Sequence, residues 1–393
     1  MVKLGILVSH PIQYLVPVYR ALAQVPGLDL TVVYHARRGL DAYFDEGFKQ
    51  TVKWDIPLLD GYKSDFLSSK DVQIRFAPGI LSELWRRRFD VLIVHGYNQP
   101  TNVVGIMTAK ALGTRVMLRG DTRIQRRHGS AKNVLKRLLF KALDGFLTVG
   151  TLNREYYSAL GVGPDRLFHA PFCVANATFA IEPGDREVRR RRWREQFGVP
   201  QESVVALFAA KLSAYKRPGD LLEAFSRIRQ LYPTAWLVVA GSGAEEEILR
   251  ATAGDRVRFV GFQNQSVLPD LYAASDCFIL PSDEEPWGLV INEVMAAGLP
   301  VIVSDGVGAA PDLVDGKGTG LIYPCGNVSA LSEALDRLIR DVRLRSEMGE
   351  RARQLIREWD VDVCVERTVA AVCRVAEGRG GEIGSSENAR LLN

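Results

Sequence analysis

Long apolar runs are missing from this chain. No uninterrupted apolar stretch in its 393 residues reaches the ~18 that a bilayer-spanning helix needs, so no membrane-spanning helix is expected. Cysteine is scarce as well. Cys173, Cys277, Cys325, Cys364 and Cys373 are scattered without C-x-x-C spacing, which argues against a disulfide framework or a zinc ribbon and for a reducing compartment. The sole Asp-x-Asp, Asp360-Val361-Asp362, stands apart from every other candidate residue, so no metal is expected. Net charge is only +4, and no nucleic-acid partner is expected. That small surplus is uneven: Arg119, Arg123, Arg126, Arg127, Lys132, Lys136, Arg137 and Lys141 fall in one short region. A leader is not legible either. The opening Met-Val-Lys-Leu-Gly-Ile-Leu-Val stops at Ser9-His10-Pro11 without a small-residue cleavage site, so it reads as a first strand, and the expected location is cytoplasmic.

What is present is a globular composition, 47% apolar and 24% charged, at a length that suits two domains. Two runs of alternating strand and helix appear. Strands are expected at Lys3–Val8, Leu30–Tyr34, Val91–Val94, Val116–Leu118 and Gly145–Val149, and again at Val204–Ala209, Trp236–Ala240, Val257–Val260, Cys277–Leu280, Pro300–Val303 and Gly320–Ile322. Helical patterns such as Tyr14–Gln24, Thr101–Leu112, 219–231 and 329–340 lie between them. This alternation implies two doubly wound α/β domains, each a parallel sheet covered on both faces, with ligands at the carboxyl ends of strands. The expected division is 1–180, 181–360, a crossover helix 361–376 and a flexible tail 377–393, with the boundary inside Ala180–Pro200. The arginine-rich run from Arg189 reads as a solvated helix face.

One segment carries most of the chemistry. Residues 277–304 read as a buried strand, a carboxylate-rich turn, a helix over Leu289–Ala297 and a second strand. Glu285 and Glu293 stand eight positions apart, with Pro286-Trp287-Gly288 turning into the helix, so Leu289 and Val290 lie at its start. Amides at a helix start lack internal partners and suit a phosphate. Ionised carboxylates accept paired hydrogen bonds from vicinal hydroxyls. The arrangement suits a sugar at one glutamate, a ribose at the other and a diphosphate between.

Other clusters fall on strand-end loops. Lys211 and Lys216 follow Val204–Ala209, where ammonium groups would offset the charge of a departing diphosphate. Gly241-Ser242-Gly243 follows the next strand but is no dinucleotide fingerprint. Gly261-Phe262 follows another, and Phe262 suits either a base contact or the core. In the first half, Ser9, His10 and Gln13, then His95 and Asn98, then Arg119 and Asp121 follow three strands, which the topology rule brings to one cleft. Lys132–Leu143 is amphipathic, with Val134, Leu135, Leu138, Leu139 and Ala142 on one face and Lys132, Lys136, Arg137 and Lys141 elsewhere. It reads either as a core-packed helix with a charged exterior or as a contact for an anionic membrane.

On these residues the chain resembles the retaining glycosyltransferases of family 4, with their GT-B fold. Glu285 and Glu293 match the E-x7-E motif and Trp287-Gly288-Leu289 its aromatic-Gly-Leu turn. Ala296-Ala297-Gly298-Leu299-Pro300-Val301 matches the family's next segment. Lys211 stands where that family usually has Arg, and Lys216 matches its Lys. Trp359–Glu377 resembles the segment that crosses back onto the first domain. The resemblance implies a nucleotide-diphospho-sugar donor, UDP-linked by preference, held by Ser9, His10, Lys211, Lys216, Gly261, Phe262, Pro286 to Val290 and both glutamates. It implies a glycan or lipid-linked glycan acceptor, expected near Gln13, Asn98 and Arg119, and no cofactor or metal. Glu285, Lys211, Lys216, His95 and Asp121 are the candidate catalytic groups. Where many members carry a histidine after the strand Val116–Leu118, this chain has Arg119. Alternative readings are an epimerase of the UDP-N-acetylglucosamine 2-epimerase type and a non-catalytic sugar-binding protein.

Overall fold

The computed structural model describes residues 1–70, 74–124 and 130–378. The chain divides into one unit of residues 1–42, 57–173 and 360 onward, and a second of residues 43–56 and 174–359. The expected tail 377–393 lies outside the described residues from 379 on.

The first unit is built on strands β1 (Val2–Val8), β2 (Leu28–Tyr34), β5 (Lys63–Phe66), β6 (Val91–His95), β7 (Arg115–Gly120), β8 (Gly145–Thr148) and β9 (Leu167–His169). Strands β3 (Tyr43–Asp45) and β4 (Gln50–Val52) belong to the second unit, outside this sheet. The sheet's order is β5-β2-β1-β6-β7-β8-β9, all parallel. The helices are α1 (Val16–Ala23), α2 (Ile80–Arg87), α3 (Pro100–Ala111), α4 (Ser130–Lys141) and α5 (Thr151–Ala159). Side chains alternate along each strand. Leu7, Val33, Leu92, Val94, Val116, Leu118 and Phe146 pack with α2, α3 and Phe140 of α4 on one face. Ile6, Ile93 and Leu147 face α1 and Thr368 on the other. Strands β5 and β9 were not expected, because both are short edge strands without an apolar run.

Helix α4 departs from the core-packed reading. Phe140 is buried, but Val134, Leu135 and Leu138 are 56%, 72% and 58% exposed.

The second unit carries β10 (Val204–Ala209), β11 (Ala235–Ala240), β12 (Val257–Gly261), β13 (Cys277–Leu280), β14 (Val301–Ser304) and β15 (Gly320–Tyr323). Their order is β12-β11-β10-β13-β14-β15, again parallel. Its helices are α6 (Asn176–Phe179), α7 (Pro183–Phe197), α8 (Pro218–Leu231), α9 (Glu246–Thr252), α10 (Leu268–Ala273), α11 (Val290–Ala296), α12 (Ala310–Leu313), α13 (Val328–Arg340) and α14 (Val342–Leu355). The antiparallel hairpin β3 (Tyr43–Asp45) and β4 (Gln50–Val52) belongs here too. The block 1–180 is therefore not one unit: residues 43–56 and 174–180 make their contacts with the second sheet's unit. Helix α15 (Val361–Glu377) packs on α1 and on β6, β8 and β9, within the first unit. Its first turn is capped by Asp360, whose Oδ1 accepts from the Val361 amide at 2.7 Å.

The arginines of α7 are only in part a solvated face, for Arg191 and Arg192 stay exposed while the others are drawn inward. Arg189 and Arg192 pair with Asp270, and Arg190 and Arg194 with Asp276. Arg194 is fully buried and donates to the carbonyls of Ala274, Gln201 and Ser203. Removing one partner of a buried ion pair leaves the other charge and the carbonyls unsatisfied. We expect Arg194→Ala to cost about 3–5 kcal/mol of unfolding free energy, measured by urea denaturation. A loss below about 1 kcal/mol, the level of an exposed pair, would show that the buried network is not stabilising.

Candidate functional site

In the second sheet the strand order reverses between β10 and β13, and open parallel sheets bind ligands at such a point. The loop after β10 holds Lys211 and, in a 3-10 turn, Lys216; the loop after β13 holds Glu285. The latter is pinned by backbone contacts. The Glu285 amide donates to the Gly306 carbonyl at 3.0 Å, the Gly308 amide to the Glu285 carbonyl at 2.9 Å, and the Ala309 amide to the Trp287 carbonyl at 3.0 Å. A Cβ on Gly308 would stand 1.8 Å from the Pro286 carbonyl oxygen, so only glycine allows this approach. Gly288 has φ +94°, a left-handed turn that delivers the chain into α11. The Asp283 amide donates to the carbonyl of Tyr215 at 2.8 Å, which ties this loop to the one carrying Lys216.

The consequence is that Lys216 and Glu285 form an ion pair, both largely buried. Burial, reinforced by the charge of Lys211, pulls Lys216 down to about 8. Glu285 opposes this by favouring the ammonium. Lys211 is paired with Asp45 of the hairpin, Nζ to Oδ1 at 2.9 Å, and keeps a third of its side-chain surface open. Burial acts to raise the Asp45 pKa, but hydrogen bonds from Lys211 and from the Phe48 and Gly47 amides outweigh it and hold the group below its ordinary value.

Glu293 lies on α11 and accepts a hydrogen bond from the Tyr272 hydroxyl. Burial raises it to about 7, with that hydrogen bond acting the other way; it remains partly exposed. Gly261 ends β12 in a left-handed conformation, φ +71°. The Phe262 ring meets Phe48 edge-on at 4.8 Å and Trp54 at 6.2 Å, between centroids. One expectation needs correcting. Trp287 is buried, stacks on Trp359 at 4.9 Å and donates its indole N–H to Asn292 at 2.9 Å, so its side chain supports the turn and does not face a ligand. At the start of α11 the Ile291 amide is already satisfied by the Gly288 carbonyl at 2.8 Å. Pro286 is exposed, and Leu289 and Val290 are partly so.

In the first unit, Ser9, His10 and Gln13 follow β1, His95 and Asn98 end or follow β6, and Arg119 and Asp121 end or follow β7. These are three adjacent strands, so the clusters share one carboxyl edge. The Ser9 hydroxyl lies 2.8 Å from His10 Nδ1. Burial, then the charges of Arg38 and His35, lower His10 to about 4. Asn98 is exposed and Gln13 partly so. His95 and Arg119 share the face of Ile93 and Met117, which strand alternation turns toward α1 and α15. Both line a cavity of about 10 Å³ with Tyr19 and Thr368. Burial and then Arg119 pull His95 to about 3, so it is a neutral, weakly basic group. Arg119 is buried, donating to the Pro171 carbonyl at 3.4 Å and to the Cys364 sulfur at 3.5 Å. Its placement is interior, not the acceptor-side position expected from sequence. Asp121 is raised by burial, and Arg119 opposes the shift.

Sequence reasoning passed over two parts of the site. Gly306-Val307-Gly308 follows β14 at the carboxyl edge, and its G-x-G on a strand end was a readable signal. Asp45 and Phe48 had none, since nothing local to that hairpin says which sheet it joins.

The comparisons agree with this fold. The fold is that of the GT-B glycosyltransferases, with two Rossmann-like sheets. The structure of Anabaena HepE in complex with UDP and glucose superposes with a TM-score of 0.74 at 17% identity, over 95% of this chain and all of that one. Residues 189–355 match Glycosyl transferases group 1, and the chain carries a domain of that family. Alpha-D-kanosaminyltransferase of Streptomyces kanamyceticus is 28% identical over 184 residues, 46% of this chain and 47% of the relative. N-acetyl-alpha-D-glucosaminyl L-malate synthase of Bacillus anthracis is 29% identical over 170 residues, 42% and 44% of the two chains. The chain thus spans about half the length of the curated relatives it matches.

The Lys216 environment generates a prediction. An anion on Lys216 stabilises the ammonium, so above about 8 binding must take up a proton and affinity falls with pH. We expect UDP affinity to drop by up to about tenfold per pH unit above that point. Lys216→Arg, whose guanidinium does not deprotonate, should flatten the profile. Calorimetric titration between pH 7 and 9.5 reads this directly, and a wild-type curve as flat as the arginine variant's would refute it.

Proposed function

We propose that this protein is a retaining, metal-independent glycosyltransferase that moves a hexose from a nucleotide-diphospho-sugar to a glycan or lipid-linked glycan in polysaccharide biosynthesis. The observation that carries the reading is the meeting of Lys211, Lys216 and Glu285 at the strand-order reversal of the second sheet. HepE holds UDP and glucose, and UDP-glucose is the donor assigned here. Lys211 and Lys216 take the diphosphate, Glu285 the sugar hydroxyls and Glu293 the ribose. The acceptor is assigned to Gln13 and Asn98 on the first unit.

The chemistry needs no protein nucleophile. The acceptor hydroxyl attacks the anomeric carbon on the face the phosphate leaves. The bond from carbon to phosphate oxygen breaks as the bond from carbon to acceptor oxygen forms, and the departing phosphate oxygen takes the hydroxyl proton. The two ammonium groups stabilise the growing negative charge. His95, neutral and interior, is not needed as a base.

A proton-NMR time course of UDP-glucose with the protein tests this. Glucose released or transferred should first appear with the donor's anomeric configuration, at a rate unchanged by a chelator and lowered at least about hundredfold, ~2.7 kcal/mol, by Lys216→Ala. Inversion at the anomeric carbon would sink the retaining assignment. A 2-epimer formed without acceptor would favour the epimerase.

The lipid-linked setting rests on α4. Its exposed Val134, Leu135 and Leu138 lie among Lys136, Arg137 and Lys141, and an anionic bilayer satisfies both features. In flotation with vesicles containing phosphatidylglycerol, the double variant Leu135→Ser, Leu138→Ser should lose most of the bound fraction. Equal binding by variant and wild type would remove the membrane assignment.

A further inference from the structure

The hairpin β3–β4 makes an unusual set of contacts. Tyr43 pairs with Val52, Phe44 with Thr51 and Asp45 with Gln50. It is held by the loops after three consecutive strands. From the loop after β10, Lys211 meets Asp45 at 2.9 Å and stands 4.6 Å over the centre of the Phe48 ring. After β11, the Ser242 hydroxyl donates to the Phe48 carbonyl at 2.9 Å. After β12, Phe262 meets Phe48 and Trp54, and the Asn264 amide donates to the Lys53 carbonyl at 2.6 Å. The hairpin therefore lies along the carboxyl edge that the donor must reach. Asp45 is fixed there: its Oδ1 also accepts from the Gly47 amide at 2.8 Å and the Phe48 amide at 2.9 Å.

We propose that Asp45 is a specificity-determining residue of the donor site, whose carboxylate holds the place of a donor phosphate on Lys211 and is exchanged for it when the diphosphate binds. The proposal rests on the donor-site reading above. Both lysines assigned to the diphosphate have an internal carboxylate partner, Asp45 for Lys211 and Glu285 for Lys216. The two lysines are thus neutralised from within. A phosphate that joined Lys211 without displacing Asp45 would set two anions against one ammonium in a partly buried loop, where they repel strongly. A diphosphate carries enough charge to win the exchange and an uncharged nucleoside does not. Asp45 thereby sets a threshold of ligand charge, and it makes hairpin docking and donor binding competing uses of the same cation.

Asn at position 45 keeps the Oδ1 acceptor for the Gly47 and Phe48 amides while removing the charge, so the hairpin turn is preserved. By calorimetric titration of the full chain, Asp45→Asn should bind UDP roughly tenfold more tightly than wild type and bind uridine no better. In a Lys211→Ala background the substitution should give no gain. UDP binding by wild type that is unchanged or weaker in Asp45→Asn would overturn the proposal alone, as would a gain that persists without Lys211. If neither wild type nor Asp45→Asn bound UDP or GDP, the donor-site reading itself would fail and take the proposal with it.

Discussion

The candidate site depends on one backbone arrangement: the connection between β13 and α11 is bound on both sides. Gly306 and Gly308 hold it through Glu285, and Tyr215 holds it through Asp283. A loop at the end of a parallel strand has no ladder partner of its own, and its polar backbone groups must be satisfied elsewhere. Here the next strand-end loop satisfies them, and the absence of side chains at two glycines is what permits the approach. Trp287 closes the turn from beneath by stacking on Trp359. Glu285 is thereby held against Lys216 by structure that involves neither side chain, as preorganisation requires.

Placing charges there is costly, and the molecule offsets the cost locally. Lys216 is dehydrated enough to fall to about 8, and Glu293 enough to rise to about 7. Each shift measures a penalty on the charged form, and each group has a partner that works against it: Glu285 for the lysine, the Tyr272 hydroxyl for the glutamate. A ligand bringing phosphate to the lysines and hydroxyls to the glutamates would do the same with more contacts. Dehydration that weakens the charged forms also strengthens their interactions with a ligand of opposite charge.

The sheets were legible in the sequence because both are parallel and covered on both faces, so their strands read as unbroken apolar runs. Val204–Ala209 and Cys277–Leu280 match their expected bounds. The edge strands β5 and β9 were not legible, since an edge strand is less buried and KSDF or LFH carries no apolar run. Lys211, Lys216 and Glu285 stood out because their order along the chain puts them on strand ends, and Glu293 because it stands eight positions after Glu285 on the helix that follows. Strand alternation decided the first-unit residues and was available but unused. One step of parity puts His95 and Arg119 with Ile93 and Met117, facing α1 and α15. The hairpin could not be read at all. Its pairing is local, but its docking on loops 166 to 211 residues later in the chain is a tertiary contact with no period or motif to announce it.

The two basic helices show why composition alone misleads. Helix α7 and helix α4 both look like charged exteriors. In α7 the acids Asp270 and Asp276 rise from α10 and its following turn to meet four arginines, and Arg194 is drawn fully inside. Near α4 no described carboxylate pairs with Lys136, Arg137 or Lys141. Lys136 lies over the rings of Tyr97 and Tyr156, and Val134, Leu135 and Leu138 beside these charges stay exposed. What separates the two is not their own sequence but whether the rest of the fold supplies anions. Where it does, a run of arginine becomes structural. Where it does not, among the described residues, the positive charge stays without a carboxylate and Val134, Leu135 and Leu138 stay exposed.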